Sequence, residues 1–256
     1  GEHSVSELKV FLVAKASEAA INYIKSMSQG LRDLGLEVAK SPEDSDLIVV
    51  AGGDGTLLKY VKYGIPVLGI KFGRRSKLLE VEPEDGKTAL RKIMAGDYIV
   101  DEYPLLEADV KGSSVLVFNE IALVFDGAET VYGSVSFEDN EVEFEGDGVL
   151  IATPQGSWAW SFSASNVVLH KSVNGVVVTF LNALKPMGLK SIVIPYTEIQ
   201  VRLEDKGRDQ KTKVLVDGEI LGYLSKTGEG FRVRKSGRTA KIVRFGKRLE
   251  LAKVWR

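Results

Sequence analysis

The sequence predicts α/β plus all-β in one chain. A small Rossmann-like parallel α/β domain is expected over residues 1–100, then a β-sandwich-like domain over 101–245 with one inserted helix. Three observations predict this. Short, wholly apolar runs alternate with helical periodicity in the first third. From about Asp101 the pattern changes to strand-like alternation punctuated by turn residues. A single helical pattern, around Ser157 to Ser165, interrupts those strands. Residues 246–256 are expected to pack back on the first domain.

Leu8 to Ala14 (LKVFLVA) reads as a buried strand. Ser17 offers an N-cap, and Ala20, Ile21, Ile24, Met27, Leu31 and Leu34 recur at helical spacing, closed by Gly35 as the C′ residue. Leu47 to Ala51 is a second buried strand, followed by a glycine loop and a helix through Tyr63. Pro66 to Ile70 is a third strand, and Asp85 to Met94 a short helix ending before Ala95-Gly96. That β-α-β-α-β order implies a parallel sheet with right-handed crossovers. Strands then follow at Leu105–Val110, Val115–Val124, Gly133–Phe137 and Val142–Phe144, the last two joined by a hairpin turn at Asp139-Asn140. Val149–Ala152, Val176–Phe180, Ser191–Pro195, Glu198–Leu203 and Val214–Val216 complete the strands, with a final hairpin turning at Ser236-Gly237.

Composition narrows the chemistry. The 256 residues carry a net charge of −1, so any anion binding must come from local loops rather than a whole-protein field. Without cysteine there is no disulfide scaffold, thiol nucleophile or cysteine-ligated zinc. Only His3 and His170 supply imidazole, which excludes a histidine-rich metal site; no protein metal site is expected. No run of 18 apolar residues exists, so no membrane span is read. Gly1-Glu2-His3-Ser4 has no apolar h-region and does not read as a signal peptide, which makes the cytoplasm the expected location. The absence of cysteine with many Lys, Arg and Glu is compatible with a thermophilic source.

Three constellations carry chemistry. In Gly52-Gly53-Asp54-Gly55-Thr56 the glycines allow a sharp turn and close approach to a phosphate, and Thr56 is a plausible N-cap with a hydroxyl donor. Asp54 is the odd residue, since a carboxylate in an anion-binding loop must take a proton or hold a cation. That makes it a candidate general base toward a hydroxyl, a Mg²⁺ partner, or both, set against a plain turn with a solvated Asp. Asn119-Glu120 lies inside the apolar run VLVFNEIALV, where two polar side chains need partners or a cavity. The alternative is a bulge with both in water. Gly146 to Ser165 (GDGVLIATPQGSWAWSFSAS) reads as turn, strand, Pro-containing loop and helix, with Gly156-Ser157 starting the helix. Trp158 and Trp160 could each stack on a planar ring, although core packing is expected for one of them. Phe231 to Arg256 adds ten Lys or Arg against Glu250 alone, either a solvated hairpin face or an anion site. His170, after NVVLH, reads as a capped strand end.

GGDGT, FNE and GDGVLIATPQGSWAWSFSAS, in this order and spacing, resemble the NAD kinases across nearly the whole chain. PVLGIKFGR resembles the family's PVLGINxGR segment, and Val216-Asp217-Gly218-Glu219 its Val-Asp-Gly turn. GGDGT alone is shared with lipid and sphingoid kinases, so the other two motifs discriminate. The resemblance implies phosphorylation of the 2′-hydroxyl of the adenosine ribose of NAD, with Mg²⁺ and either ATP or polyphosphate as donor. It implies that Asp54 is the catalytic carboxylate and that Gly52, Gly53, Gly55 and Thr56 lie against the phosphates. Asn119, Glu120, Asp147, Ser157, Trp158, Ala159 and Trp160 are implied to bind NAD. A homodimer or homotetramer with contacts crossing subunits is implied as well, without nucleic acid or membrane partners.

The chain departs from the family pattern at particular residues. The family's TPTGSTAY is here Thr153-Pro154-Gln155-Gly156-Ser157-Trp158-Ala159-Trp160. Its Asn after Gly-Ile is Lys71, its Gly-Phe pair is Ser76-Lys77, and its Gly-Gly after the helix is Ser165-Asn166. Lys71, Lys77 and Trp158 motivate a second reading, a non-catalytic NAD or NADP binder. A third, a lipid or sphingoid kinase, rests on GGDGT alone.

Overall fold

The computed structural model describes residues 8–246. The chain divides into two compact units, changing from the first to the second after Glu102 and returning to the first at Thr239. The return therefore comes inside the last strand. The expectation for residues 246–256 lies outside the described residues apart from Gly246.

In the first unit the order is β1 (Lys9–Ala14), α1 (Glu18–Asp33), β2 (Glu37–Val38), β3 (Leu47–Gly52), α2 (Asp54–Tyr60), β4 (Val67–Lys71) and α3 (Gly86–Met94). The sheet order is β2-β1-β3-β4 and every pairing is parallel. Ser17 caps α1 by accepting the Ala20 amide at 3.2 Å, and Gly35 takes φ +76° after the helix. Leu47, Val49 and Ala51 of β3 share a core with Ala20, Met27 and Leu31 of α1 and Leu90 and Ile93 of α3. Ile48 and Val50, pointing to the opposite face, are equally buried. A strand buried on both faces must be apolar throughout, which is why LIVVA shows no alternation.

The second unit begins within β5 (Ile99–Val110), which starts in the first unit. It continues through β6 (Ser113–Val117), β7 (Glu120–Phe125), β8 (Val131–Phe137), β9 (Asn140–Gly146), β10 (Gly148–Ala152), α4 (Trp160–Ser165) and β11 (Gly175–Leu181). β12 (Ser191–Pro195), β13 (Ile199–Leu203), β14 (Thr212–Val216), β15 (Glu219–Leu224) and β16 (Gly230–Arg244) complete it. One antiparallel sheet runs β12-β11-β10-β7-β14-β15; in the other, β16, β13, β8 and β9 are neighbours. Their facing side chains, among them Ile121, Val149, Val178, Val135, Phe144 and Val201, make one core. Trp160 and Ala164 pack on the opposite face of the first sheet, against Ala122, Val124, Leu150 and Leu181.

The fold class is as expected from sequence, and several local expectations are corrected. The run Val115–Val124 is two strands, broken at Phe118-Asn119. The β8–β9 turn is Glu138-Asp139, because Phe137 pairs with Asn140 and Glu138 takes the left-handed backbone, φ 51°. The segment from Gln155 is a 3₁₀ turn (Gln155–Trp158) and then α4, interrupted at Ala159. Residues 166–170 form no strand; His170 is exposed, with Nδ1 2.8 Å from the Ser172 hydroxyl. No hairpin turns at Ser236-Gly237, since β16 runs straight through them. The hairpin lies earlier, between β14 and β15, with Asp217 and Gly218 both at positive φ.

Candidate active site

The glycine loop joins β3 to α2. Gly53 is the N-cap and Asp54 the first helical residue, so Thr56 is inside the first turn and is not the cap. None of Gly52, Gly53 and Gly55 has positive φ; close packing explains two of them instead. A Cβ on Gly53 would sit 3.0 Å from the Arg75 carbonyl oxygen, and one on Gly52 3.1 Å from the Thr56 side chain. Gly55 faces open space. Segment 72–78 is therefore laid directly on the loop: the Phe72 amide donates to Gly52 O at 2.8 Å and the Asp54 amide to Arg75 O at 2.7 Å.

The same segment holds the Asp54 carboxylate. The Leu78 amide donates to Oδ1 at 3.0 Å and the Lys77 amide to Oδ2 at 3.2 Å. Burial pushes this carboxyl above the ordinary aspartate value, against the pull of the two amides and the charges of Lys77 and Arg244. A partly desolvated carboxylate with fixed orientation suits proton acceptance from an alcohol. Lys71, at the end of β4, is half-buried and paired with Glu82 at 3.2 Å.

In the second unit the other two motifs are brought together. Asp217, on its left-handed turn, accepts from the amides of Phe118 (2.9 Å), Asn119 (2.6 Å) and Glu120 (3.2 Å), across 97 to 99 residues of chain. It fixes the break that places Asn119 and Glu120. In the sequence Asp217 shows only as part of a Val-Asp-Gly turn; the acceptor role of its carboxylate leaves no local signal beyond that turn's glycine. The part played by Thr153 is not legible there either: its hydroxyl donates to Phe118 O at 2.6 Å and accepts the Gly156 amide at 3.0 Å. Gly156 lies so close to Asn119 that any Cβ would strike its carbonyl.

Glu120 is only 5% exposed. Burial, with the Asp217 charge adding to it, pushes its carboxyl up to about 7, opposed by the amides of Trp160 and of Glu120 itself. The Trp160 amide thus ties the TPQGSWAW turn to FNE. Ser157 is wholly buried and its hydroxyl is spent inside the fold, donating to Pro154 O at 2.6 Å and accepting the Leu169 amide at 2.8 Å. Trp158 donates from Nε1 to Leu169 O at 2.9 Å, and the Trp160 ring packs on the sheet. Ala159 is the half-buried joint between the 3₁₀ turn and α4. Asp147, half-buried before β10, accepts from the Asn182 side chain at 2.7 Å. Among the described residues no three acidic or imidazole side chains converge as a metal cluster. No helix of the described residues is long and apolar enough to cross a membrane.

Two family models match these same regions: the ATP-NAD kinase N-terminal domain over residues 10–98 and the ATP-NAD kinase C-terminal domain over 118–245. An NAD kinase of Sulfurisphaera tokodaii is 51% identical over 241 residues, 93% of this chain and 95% of the relative. The chain belongs to the NAD kinase family. A further NAD kinase, from Saccharolobus solfataricus, is 41% identical over 94% of this chain and 95% of its own. Among solved structures, an NAD kinase from Archaeoglobus fulgidus in complex with ATP is 25% identical with TM-score 0.79, covering 97% of this chain and 99% of that one. A yeast NADH kinase complexed with NADH shares the fold at TM-score 0.83 and 17% identity, covering 97% of this chain and 86% of that one. The departures from the NAD kinase pattern now have positions: Trp158 pins the loop at Leu169, and Lys77 gives Asp54 both a backbone amide and the pull of its side-chain charge.

Proposed function

We propose that this chain phosphorylates the 2′-hydroxyl of the adenosine ribose of NAD to give NADP, with ATP or polyphosphate as donor. The observation that carries the reading is Asp54, a half-buried carboxylate oriented by two amides on the loop of a family member. In this reading Asp54 takes the 2′-hydroxyl proton as that oxygen attacks the terminal phosphorus, and the shortened donor leaves. The open space at Gly55 and the backbone of Gly52, Gly53 and Thr56 receive the donor phosphates. Asn119, Glu120, Asp147, Trp158, Ala159 and Trp160 hold the NAD nucleoside. Ser157 acts there by shaping the turn, since its hydroxyl is already used.

Mg²⁺ bound with the donor would neutralise its phosphate charge. The single carboxylate at the glycine loop fits a cation carried on donor oxygens better than one caged by protein. We further propose a homodimer or homotetramer acting in the cytoplasm. The edge strand β15 supports a subunit contact, with Ile220, Leu221 and Tyr223 all exposed. The match of both halves to NAD kinase models favours this reading over a lipid kinase or a non-catalytic binder.

The test is direct: incubate the purified protein with NAD and Mg²⁺, supply ATP or polyphosphate in turn, and quantify NADP. NADP with at least one donor is expected. Tight NAD binding without turnover on either would overturn the assignment.

A further inference from the structure

Arg244 closes β16 after the chain has returned to the first unit, and it is buried, with 5% exposure. It is one of the ten basic residues read from sequence as a solvated hairpin face or an anion site; the fold places this one inside. Nη1 donates to Leu78 O at 3.0 Å and lies 3.8 Å from Glu80, and Nε lies 3.5 Å from Asp101. Leu78 is the residue whose amide donates to Asp54. One peptide segment is thus gripped from behind by a guanidinium while it grips Asp54 from the front.

Building on the proposed role of Asp54, we propose that Arg244 is a positioning residue for phosphoryl transfer, fixing segment 77–80 so that the Lys77 and Leu78 amides orient the Asp54 carboxylate. The planar fork of an arginine reaches one carbonyl and two carboxylates together, which a lysine ammonium on a single axis does not. Burying this charge with Glu80 and Asp101 gains little stability over apolar packing, so geometric fixation is the better account of the arrangement. Arg244 touches neither donor nor acceptor in this scheme; it acts on Asp54 chiefly through Leu78, beside the direct pull of its charge on that carboxylate.

The test compares the wild type with Arg244→Met and Arg244→Lys, reading kcat and the KM for NAD alongside hydrogen exchange of the Leu78 amide in the free enzyme. Arg244→Met is expected to lower kcat roughly 10–100-fold, the scale of a misplaced catalytic group. KM should stay within about threefold, since no NAD contact is removed, and Leu78 exchange should rise. Arg244→Lys is expected to recover part of both. If Arg244→Met fails to fold with two uncompensated acids, the triple variant Glu80→Gln, Asp101→Asn, Arg244→Met carries the same measurements. A folded variant with kcat within about twofold of wild type, or with lost kcat but unchanged Leu78 exchange, would overturn the proposal. Should the wild type make no NADP, the NAD kinase reading fails, while the exchange measurement still decides whether Arg244 fixes the segment that holds Asp54.

Discussion

The two polar clusters of this molecule are built on opposite terms. In the first unit Asp54 is half-buried at a loop tip, and the groups that hold it are main-chain amides of a neighbouring segment. In the second, Glu120, Thr153 and Ser157 are buried and, with Asp217, tie the backbone at 118–120, 153–157 and Leu169 into one interlocked unit. A carboxylate held only by amides is able to change partners or protonation at little cost to the fold. An interlocked cluster is not, because each polar group removed leaves a buried partner unpaired. On the proposed reading, the difference divides the labour: proton transfer at the loop, and a rigid frame for the nucleoside at the buried cluster.

Substitutions that keep charge but alter space should separate the two regions most sharply. Gly156→Ala drives a methyl into the Asn119 carbonyl and is expected to cost about 3 kcal/mol, at the upper end of overpacking effects. Gly55→Ala meets nothing within 4 Å and stands in a helical turn, so its stability should change by less than about 1 kcal/mol. Urea midpoints measure both, and equal losses would break the contrast.

A further contrast concerns pH. The Glu120 carboxyl, raised to about 7 from 4.5, keeps its proton in the folded state while the unfolded chain has already lost it. Stability therefore falls as pH rises from about 4.5 to about 7 and levels off above. Glu120→Gln still accepts the Trp160 amide but removes the titration, so its advantage should grow over that interval to at most about 3 kcal/mol. Parallel pH dependence of stability in the variant and the wild type would contradict the assigned burial of this charge.

The frame of the first unit was legible because its signals are local. LIVVA is buried on both faces, Ser17 bonds three residues ahead, and Gly35 takes the left-handed backbone that ends α1. The sandwich strands were legible wherever alternation matched a core face, as in β13 and β14. β15 was not, since only Leu224 of its six residues is buried and an edge strand shows no core face. β16 was misread because its partners change along its length, from β13 at residues 230–233 to β4 at Ile242. Around Ser236 that change shifts the inward phase, so a Ser-Gly pair looked like a turn. At the site, motif spacing pointed to Asp54, Asn119 and Glu120. The bonds that orient them come from Asp217 and Leu78, 97 and 24 residues away, a distance over which periodicity carries no information.

The central claim, that Asp54 performs chemistry rather than holding the fold, is tested most directly by Asp54→Asn. Nitrogen for oxygen preserves shape and one acceptor for the Leu78 amide but removes the base. The account predicts turnover to NADP at least about 10³-fold slower, within the range for loss of general base catalysis. It also predicts NAD affinity within about threefold of wild type and a loss of stability of no more than about 1 kcal/mol, the scale of the one Lys77 amide bond given up. A well-folded Asp54→Asn enzyme that keeps more than a tenth of wild-type turnover would contradict it.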